Sequence, residues 1–167
     1  MHSHSDSILS MDFHVTQNVI ITCSKDGTIK LWSMHDLQNP ILFISKIDQP
    51  LCVAAHPTAP IFSCGFQSGT MRVFNMEQKC QLDEFTQFNK PVKKLCYSPN
   101  GDILVTCSED GSVALHSATR QHLPTKMMHL EFPPKFVHIA FSPATTRKCL
   151  FKNDENSLQN EDISLED

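Results

Sequence analysis

Apolar residues along the chain gather in runs of five or six, and Gly, Pro, Asn, Asp or Ser breaks each run. Helical three-to-four spacing is not sustained anywhere, so the runs read as β-strands. Ile20-Ile21-Thr22-Cys23 and Leu104-Val105-Thr106-Cys107 are examples. Asp26-Gly27 and Asp110-Gly111 stand between such runs, where glycine supplies the positive φ that a tight hairpin needs, and Ser68-Gly69 repeats the arrangement. Pro99-Asn100-Gly101-Asp102 is a further turn signal.

The pattern recurs with a period of 42, as the spacing of Gly27, Gly69 and Gly111 shows. Cys23 to Trp32, Gly65 to Phe74 and Cys107 to His116 superpose without a gap. Upstream, Phe13, Ala55 and Tyr97 keep the same spacing, and Val137 to Pro143 forms a fourth copy of that element offset by 44. Each unit reads as three strands joined by short turns and then a polar-interrupted fourth, at Leu42 to Ile44, Leu82 to Phe85 and Met127 to Leu130. A four-stranded antiparallel unit of this size cannot bury both of its apolar faces alone, so neighbouring units stack face to face, and radial stacking gives a propeller. The expected fold is all-β: an incomplete β-propeller of three four-stranded antiparallel blades, at about residues 4–47, 48–88 and 89–132, plus the first strand of a fourth at 133–143. Residues 144–167 leave the repeat and form an acidic tail expected to be disordered. Closed propellers have about 4 to 8 blades, so the remaining blades are expected from a longer parent chain.

The 167 residues carry 14 Lys and Arg against 18 Asp and Glu, a net charge of −4, which argues against a dedicated nucleic-acid binder. No run approaches the ~20 apolar residues of a membrane span, and the start is polar, so the expectation is a soluble cytoplasmic protein. The seven cysteines form no C-x-x-C pair and several lie inside apolar runs, where they serve as small hydrophobes. The nine histidines are scattered: His2-x-His4 is the only close pair, and His56, His116 and His138 lie in or beside strands as structural residues. No metal and no cofactor is expected. Phosphate-loop, dinucleotide and zinc-protease signatures are absent, and although Ser24, His4 and Asp26 are the residue types of a hydrolytic triad, the repeat accounts for all three. No enzymatic activity is expected.

At the level of motifs the chain resembles the WD-repeat β-propeller family, whose unit runs from a Gly-His step through a small-residue strand ending in Ser-x-Asp-Gly to a strand ending in Trp-Asp. Ser3-His4, Thr22-Cys23-Ser24-Lys25-Asp26-Gly27 and Trp32-Ser33 occupy those places in the first copy. Later copies depart: Phe74-Asn75 and His116-Ser117 replace Trp-Asp, and Ser68 replaces the turn Asp. The resemblance implies that His4, Thr22, Asp26 and Trp32 form a buried hydrogen-bonded network, with Asp26 accepting from His4 and from turn N–H groups, and Thr22 joining His4 to Trp32. It also implies a binding face of loops including Ser5, Lys25, Gln49, Gln67, Lys90 and Glu109.

A narrower resemblance lies in His56-Pro57-Thr58-Ala59-Pro60-Ile61-Phe62-Ser63-Cys64-Gly65-Phe66-Gln67-Ser68-Gly69, which is similar to a stretch in microtubule-associated WD-repeat proteins that carry several propellers in one chain. It implies a structural role in centriole and cilium assembly, with tubulin and centriolar proteins as partners. Lys90, Lys93 and Lys94 form the densest basic cluster and are the candidate partner-binding residues; Arg147, Lys148 and Lys152 form a second group. The function expected is a noncatalytic protein-interaction scaffold. The alternative is a generic WD-repeat adaptor or substrate-recognition subunit of a signalling or ubiquitin-ligase complex.

Overall fold

Three-residue loops close the central hairpins where the sequence places its turns. Gly27, Gly69 and Gly111 have φ of 77°, 90° and 88°. Each amide bonds back three residues, to Ser24, Phe66 and Ser108, the geometry of a type I turn followed by a left-handed residue. At Gly69 a side chain is excluded twice over, by that φ and by the Phe88 carbonyl oxygen, which a Cβ would meet.

The computed structural model describes residues 3–44, 48–118, 123–130, 136–141, 147–152 and 158–163. The first sheet contains β1 (Ile8–His14), β2 (Val19–Ser24), β3 (Thr28–Ser33) and β4 (Asp36–Ile44), in that order and antiparallel. The second contains β5 (Pro50–Ala55), β6 (Ile61–Phe66), β7 (Thr70–Asn75) and β8 (Cys80–Thr86), and the third β9 (Val92–Tyr97), β10 (Ile103–Ser108), β11 (Ser112–Ser117) and β12 (Leu123–His129). β1 lies against β5, β5 against β9 and β9 against β13 (Phe136–Phe141), so the sheets stack as successive blades with their first strands side by side.

Stacking explains the sequence pattern. A middle strand has a blade on each face, so β6 and β10 are buried along almost their whole length and read as continuous apolar and small residues. The outer strand β8 alternates exposed and half-buried positions and reads as polar. The core between the first two blades joins Ile21, Ile29 and Leu31 to Val53, Phe62, Phe66 and Phe74. Phe62 stacks on Phe74 at 5.0 Å between ring centres, and Phe43 meets both rings edge-on at 5.6 and 5.4 Å. The next seam packs Met71 and Val73 against Tyr97 and Leu104.

Seam contacts are polar as well as apolar. Ser63 Oγ lies 2.6 Å from the Tyr97 hydroxyl, both buried. Tyr97→Phe leaves Ser63 without its partner and is expected to cost about 1–2 kcal/mol, read as a lowered urea midpoint at constant m value. The described cysteines are free thiols, and burial pushes the Cys23 thiol up to about 12 despite backbone hydrogen bonds that oppose the shift. Such a group stays protonated and unreactive.

The fourth sheet corrects the sequence reading. Beyond the expected strand β13, β14 (Arg147–Lys152) and β15 (Leu158–Ile163) extend it to three antiparallel strands, so the tail expected to be disordered is β-structured over these two segments. Its remaining residues, 144–146, 153–157 and 164–167, lie outside the described part. The physical reason is register. Cys149-Leu150-Phe151 is an apolar run of strand type, and its register pairs it with the acidic segment as the next strand of the ladder, Lys148 standing opposite Asp162.

Candidate functional site

The first blade's network is assembled from four segments. The segment before β1 carries His4, β2 carries Thr22, the β2–β3 turn carries Asp26, and β3 carries Trp32. His4 Nδ1 is 2.9 Å from Asp26 Oδ2, His4 Nε2 is 2.7 Å from Thr22 Oγ1, and Trp32 Nε1–H donates to Thr22 Oγ1 at 2.8 Å. Asp26 also accepts the Ser5 N–H at 3.0 Å, the Thr28 N–H at 2.9 Å and the Thr28 hydroxyl at 2.6 Å. A carboxylate only accepts, so Nδ1 carries the His4 proton, and Nε2 receives the Thr22 hydroxyl. The side chains of His4 and Asp26 are only 3% and 6% exposed. Burial by itself raises the Asp26 carboxyl, but the hydrogen bonds from Thr28, Ser5 and His4 outweigh it and hold the group well below the ordinary carboxylate range.

Each polar atom of these four side chains is hydrogen-bonded to another member, to the turn or to the entering segment. The triad grouping is not formed: Ser24 Oγ donates to the Asp6 carbonyl at 3.0 Å, while the second nitrogen of His4 is taken by Thr22.

The equivalent positions of the later blades hold other chemistry. In the second blade Ser68 stands in the Asp26 place and Asp48 supplies the carboxylate, accepting the Ser68 N–H at 3.1 Å and the Ser68 hydroxyl; Thr70 Oγ1 lies 2.8 Å from Ser68 Oγ. In the third, His116 replaces Trp32 and sits 3.0 Å from Thr106 Oγ1, the counterpart of Thr22. Asp110 keeps its bond to the turn, accepting the Ser112 N–H at 2.8 Å, but buried Phe88 stands where His4 would be.

One feature of the seams escapes sequence reading. His14 and His56 are both buried, 42 residues apart, and each reaches a backbone carbonyl of the following blade, Ala59 at 2.6 Å and Gly101 at 3.1 Å. Their shared spacing is the signal that would have found them, and it sets His56 in a specific role rather than a generic one.

The loop rim is built by a repeated latch. The N–H groups of Lys25, Gln67 and Glu109 bond the carbonyls of Ser7, Gln49 and Pro91, each at 2.9 Å. Beside it, each first strand bulges at the same place, leaving Leu9, Leu51 and Lys93 out of the ladder. Ser5, Lys25, Gln67, Lys90 and Glu109 are exposed here and Gln49 is half-buried, its amide donating to the Ser24 carbonyl at 2.8 Å. Lys90, Lys93 and Lys94 are all exposed, and Lys93 Nζ lies 3.6 Å from Glu109. With both side chains of that pair about half in water, it holds little energy. The side chains of Arg147, Lys148 and Lys152 lie outside the described part.

β1 and the turn that follows it present a different surface. Met11 is 63% and Val15 70% exposed, whereas Val53, the counterpart of Met11 in the second blade, is 5% exposed under its neighbour.

Known proteins match the repeat at two levels. The family model described as WD domain, G-beta repeat matches residues 1–33 and 79–117. WD repeat-containing protein 90 of Xenopus tropicalis is 37% identical over 117 residues, 70% of this chain and 6% of that protein. Echinoderm microtubule-associated protein-like 4 of Xenopus laevis is 24% identical over 120 residues, 71% of this chain and 13% of that protein. The chain therefore spans a small fraction of the relatives it matches. Among solved structures, the WD40 repeats of RRP9 superpose with a TM-score of 0.79 at 17% identity over 91% of this chain and 46% of that one, a likeness of fold. With four stacked antiparallel sheets, a 42-residue period and these matches together, the chain belongs to the WD-repeat β-propeller family.

Proposed function

We propose that the chain is a noncatalytic interaction scaffold, part of a larger WD-repeat protein, that presents its loop rim to a microtubule or centriolar partner. The observation that carries this reading is the rim itself: backbone latches fix the turns at Lys25, Gln67 and Glu109, while the polar side chains below them are consumed in holding the first blade together. A relative named as microtubule-associated supports the setting. Further blades of the longer protein would cover the exposed apolar side chains of β1. Location at the cytoplasmic cytoskeleton, at centrioles or the cilium base, follows from the same reading.

Acidic tubulin tails are the partner that Lys90, Lys93 and Lys94 suit, through screened long-range attraction. Reversing all three to Glu is expected to lower the fraction that pellets with microtubules at low salt by about tenfold, with wild-type pelleting falling as salt rises. Unchanged pelleting removes this patch from the interface. The pairing of Lys93 with Glu109 makes the rim mixed in charge and favours the second reading, a WD-repeat adaptor or substrate-recognition subunit. Proximity labelling separates the two by whether tubulin and centriolar proteins, or signalling and ubiquitin-ligase subunits, are recovered.

A further inference from the structure

The two seam histidines are linked through one residue. His14 Nε2 meets the Ala59 carbonyl at 2.6 Å; the Ala59 N–H points back to His56 Nδ1 at 2.9 Å; His56 Nε2 meets the Gly101 carbonyl at 3.1 Å. The Thr58 N–H also donates to His56 Nδ1, at 3.2 Å, and the Gln17 N–H donates to His14 Nδ1 at the same distance. The result is a relay that crosses three blades at the turns between first and second strands. A backbone N–H only donates, so in both rings Nδ1 must offer a lone pair and Nε2 must carry the hydrogen. His56 is therefore neutral in this arrangement.

We propose that His56 is a proton-sensitive clasp on its own turn: neutral, its Nδ1 accepts the Thr58 and Ala59 amides, and a second proton there releases that turn while Nε2–H keeps its bond to the Gly101 carbonyl of the next blade. That proton would point at the amides of Thr58 and Ala59, turning each attraction into an opposition of donors. The third seam supplies an internal control. Position 98, one period beyond His56, is Ser; its Oγ receives the Ile103 N–H at 2.9 Å and bonds Asn100 within the same blade. This turn has no imidazole of its own accepting its amides, and the His56 Nε2–H that reaches its Gly101 carbonyl is kept on protonation.

The groups facing His56 are His14 from the first blade and Tyr97 and Asp102 from the third. Tyr97 approaches edge-on at 5.0 Å between ring centres, and burial drives its hydroxyl pKa upward, so it stays neutral. Asp102 and the Gly101 carbonyl favour the charged imidazole, but burial is the largest influence and, with His14, holds His56 below its ordinary 6.5. A base depressed in the folded state binds its proton more readily unfolded. The stability it contributes is therefore complete above about pH 6.5 and is lost as pH falls from there through the folded value.

The test is nitrogen NMR of the imidazoles in the whole chain, combined with amide exchange corrected for its intrinsic pH dependence. At pH 7.5 His56 is expected as the neutral Nε2–H form. As pH falls below 6.5, protonation of His56 should coincide with a roughly tenfold gain in exchange at Thr58 and Ala59, while Ile103, bonded to Ser98, keeps its protection. A charged or Nδ1–H His56 at pH 7.5, or protonation without faster exchange at those amides, would overturn the proposal. In the variant His56→Asn the exchange of Thr58 and Ala59 should lose its pH response, and a response like that of wild type would count equally against it.

Discussion

Phe62→Ala should lower stability by about 3–5 kcal/mol, the largest loss expected from any single truncation in this chain. Phe62 is fully buried, and it belongs to two blades at once. It leaves the second strand of its own blade, stacks on Phe74 of the neighbouring strand and meets Phe43 from the outer strand of the blade before. Truncation removes the ring's burial and leaves a cavity whose walls are strands held by their own ladders, so collapse is limited. Equilibrium urea unfolding measures the loss, and Phe62→Leu should restore most of it by filling the volume without the ring contacts. Hydrogen exchange adds a spatial check, since protection should fall on both sides of the seam, in β2 and β3 as well as β6. A loss under about 1 kcal/mol, or one confined to the second blade, would mean the blades do not share this core.

What the sequence made legible follows from what is repeated. Turn glycines, buried middle strands and the place of each outer strand recur every 42 residues, so three copies reinforce one another even where a single strand is ambiguous. The first blade's four network residues were readable because they match a motif residue by residue. Two things were hidden. The second blade satisfies its turn with Asp48 and Ser68, and the third joins its middle strands through Thr106 and His116, pairs that no motif specifies. The last two strands were missed because acidic residues around Glu161 and Asp162 lower the apolar content of β15, while its pairing with β14 is a long-range property of register that composition does not express. The seam histidines belong to neither class: their spacing was visible, but an imidazole's partner lies in a different blade, and period alone does not reveal which atoms face it.

Asp26→Ala is the second large loss expected, about 3 kcal/mol, from one small side chain in a turn. The carboxylate is the acceptor for four donors, the His4 imidazole, the Ser5 N–H and both groups of Thr28. Hydrogen bonds to a charged group contribute about 1.5–3 kcal/mol each, and donors stranded in a buried site add their own desolvation cost; partial rehydration at the turn keeps the total below the simple sum. Thr22→Val and Trp32→Phe each break a neutral link further along the chain of bonds and should cost about 1–2 kcal/mol. Because the members hold one another in place, the double variant Asp26→Ala with Thr22→Val should lose less than the two singles together, and strict additivity would show that the four residues do not act as a unit. The carboxyl's depressed pKa fixes a second signature. Its contribution is complete above the ordinary carboxyl range near 3.8, and is lost as pH falls below that range toward the folded value. Wild type should therefore lose first-blade protection in strong acid, whereas Asp26→Asn, weaker at neutral pH, should show little further change there if this carboxylate is what ties the entering segment to the blade.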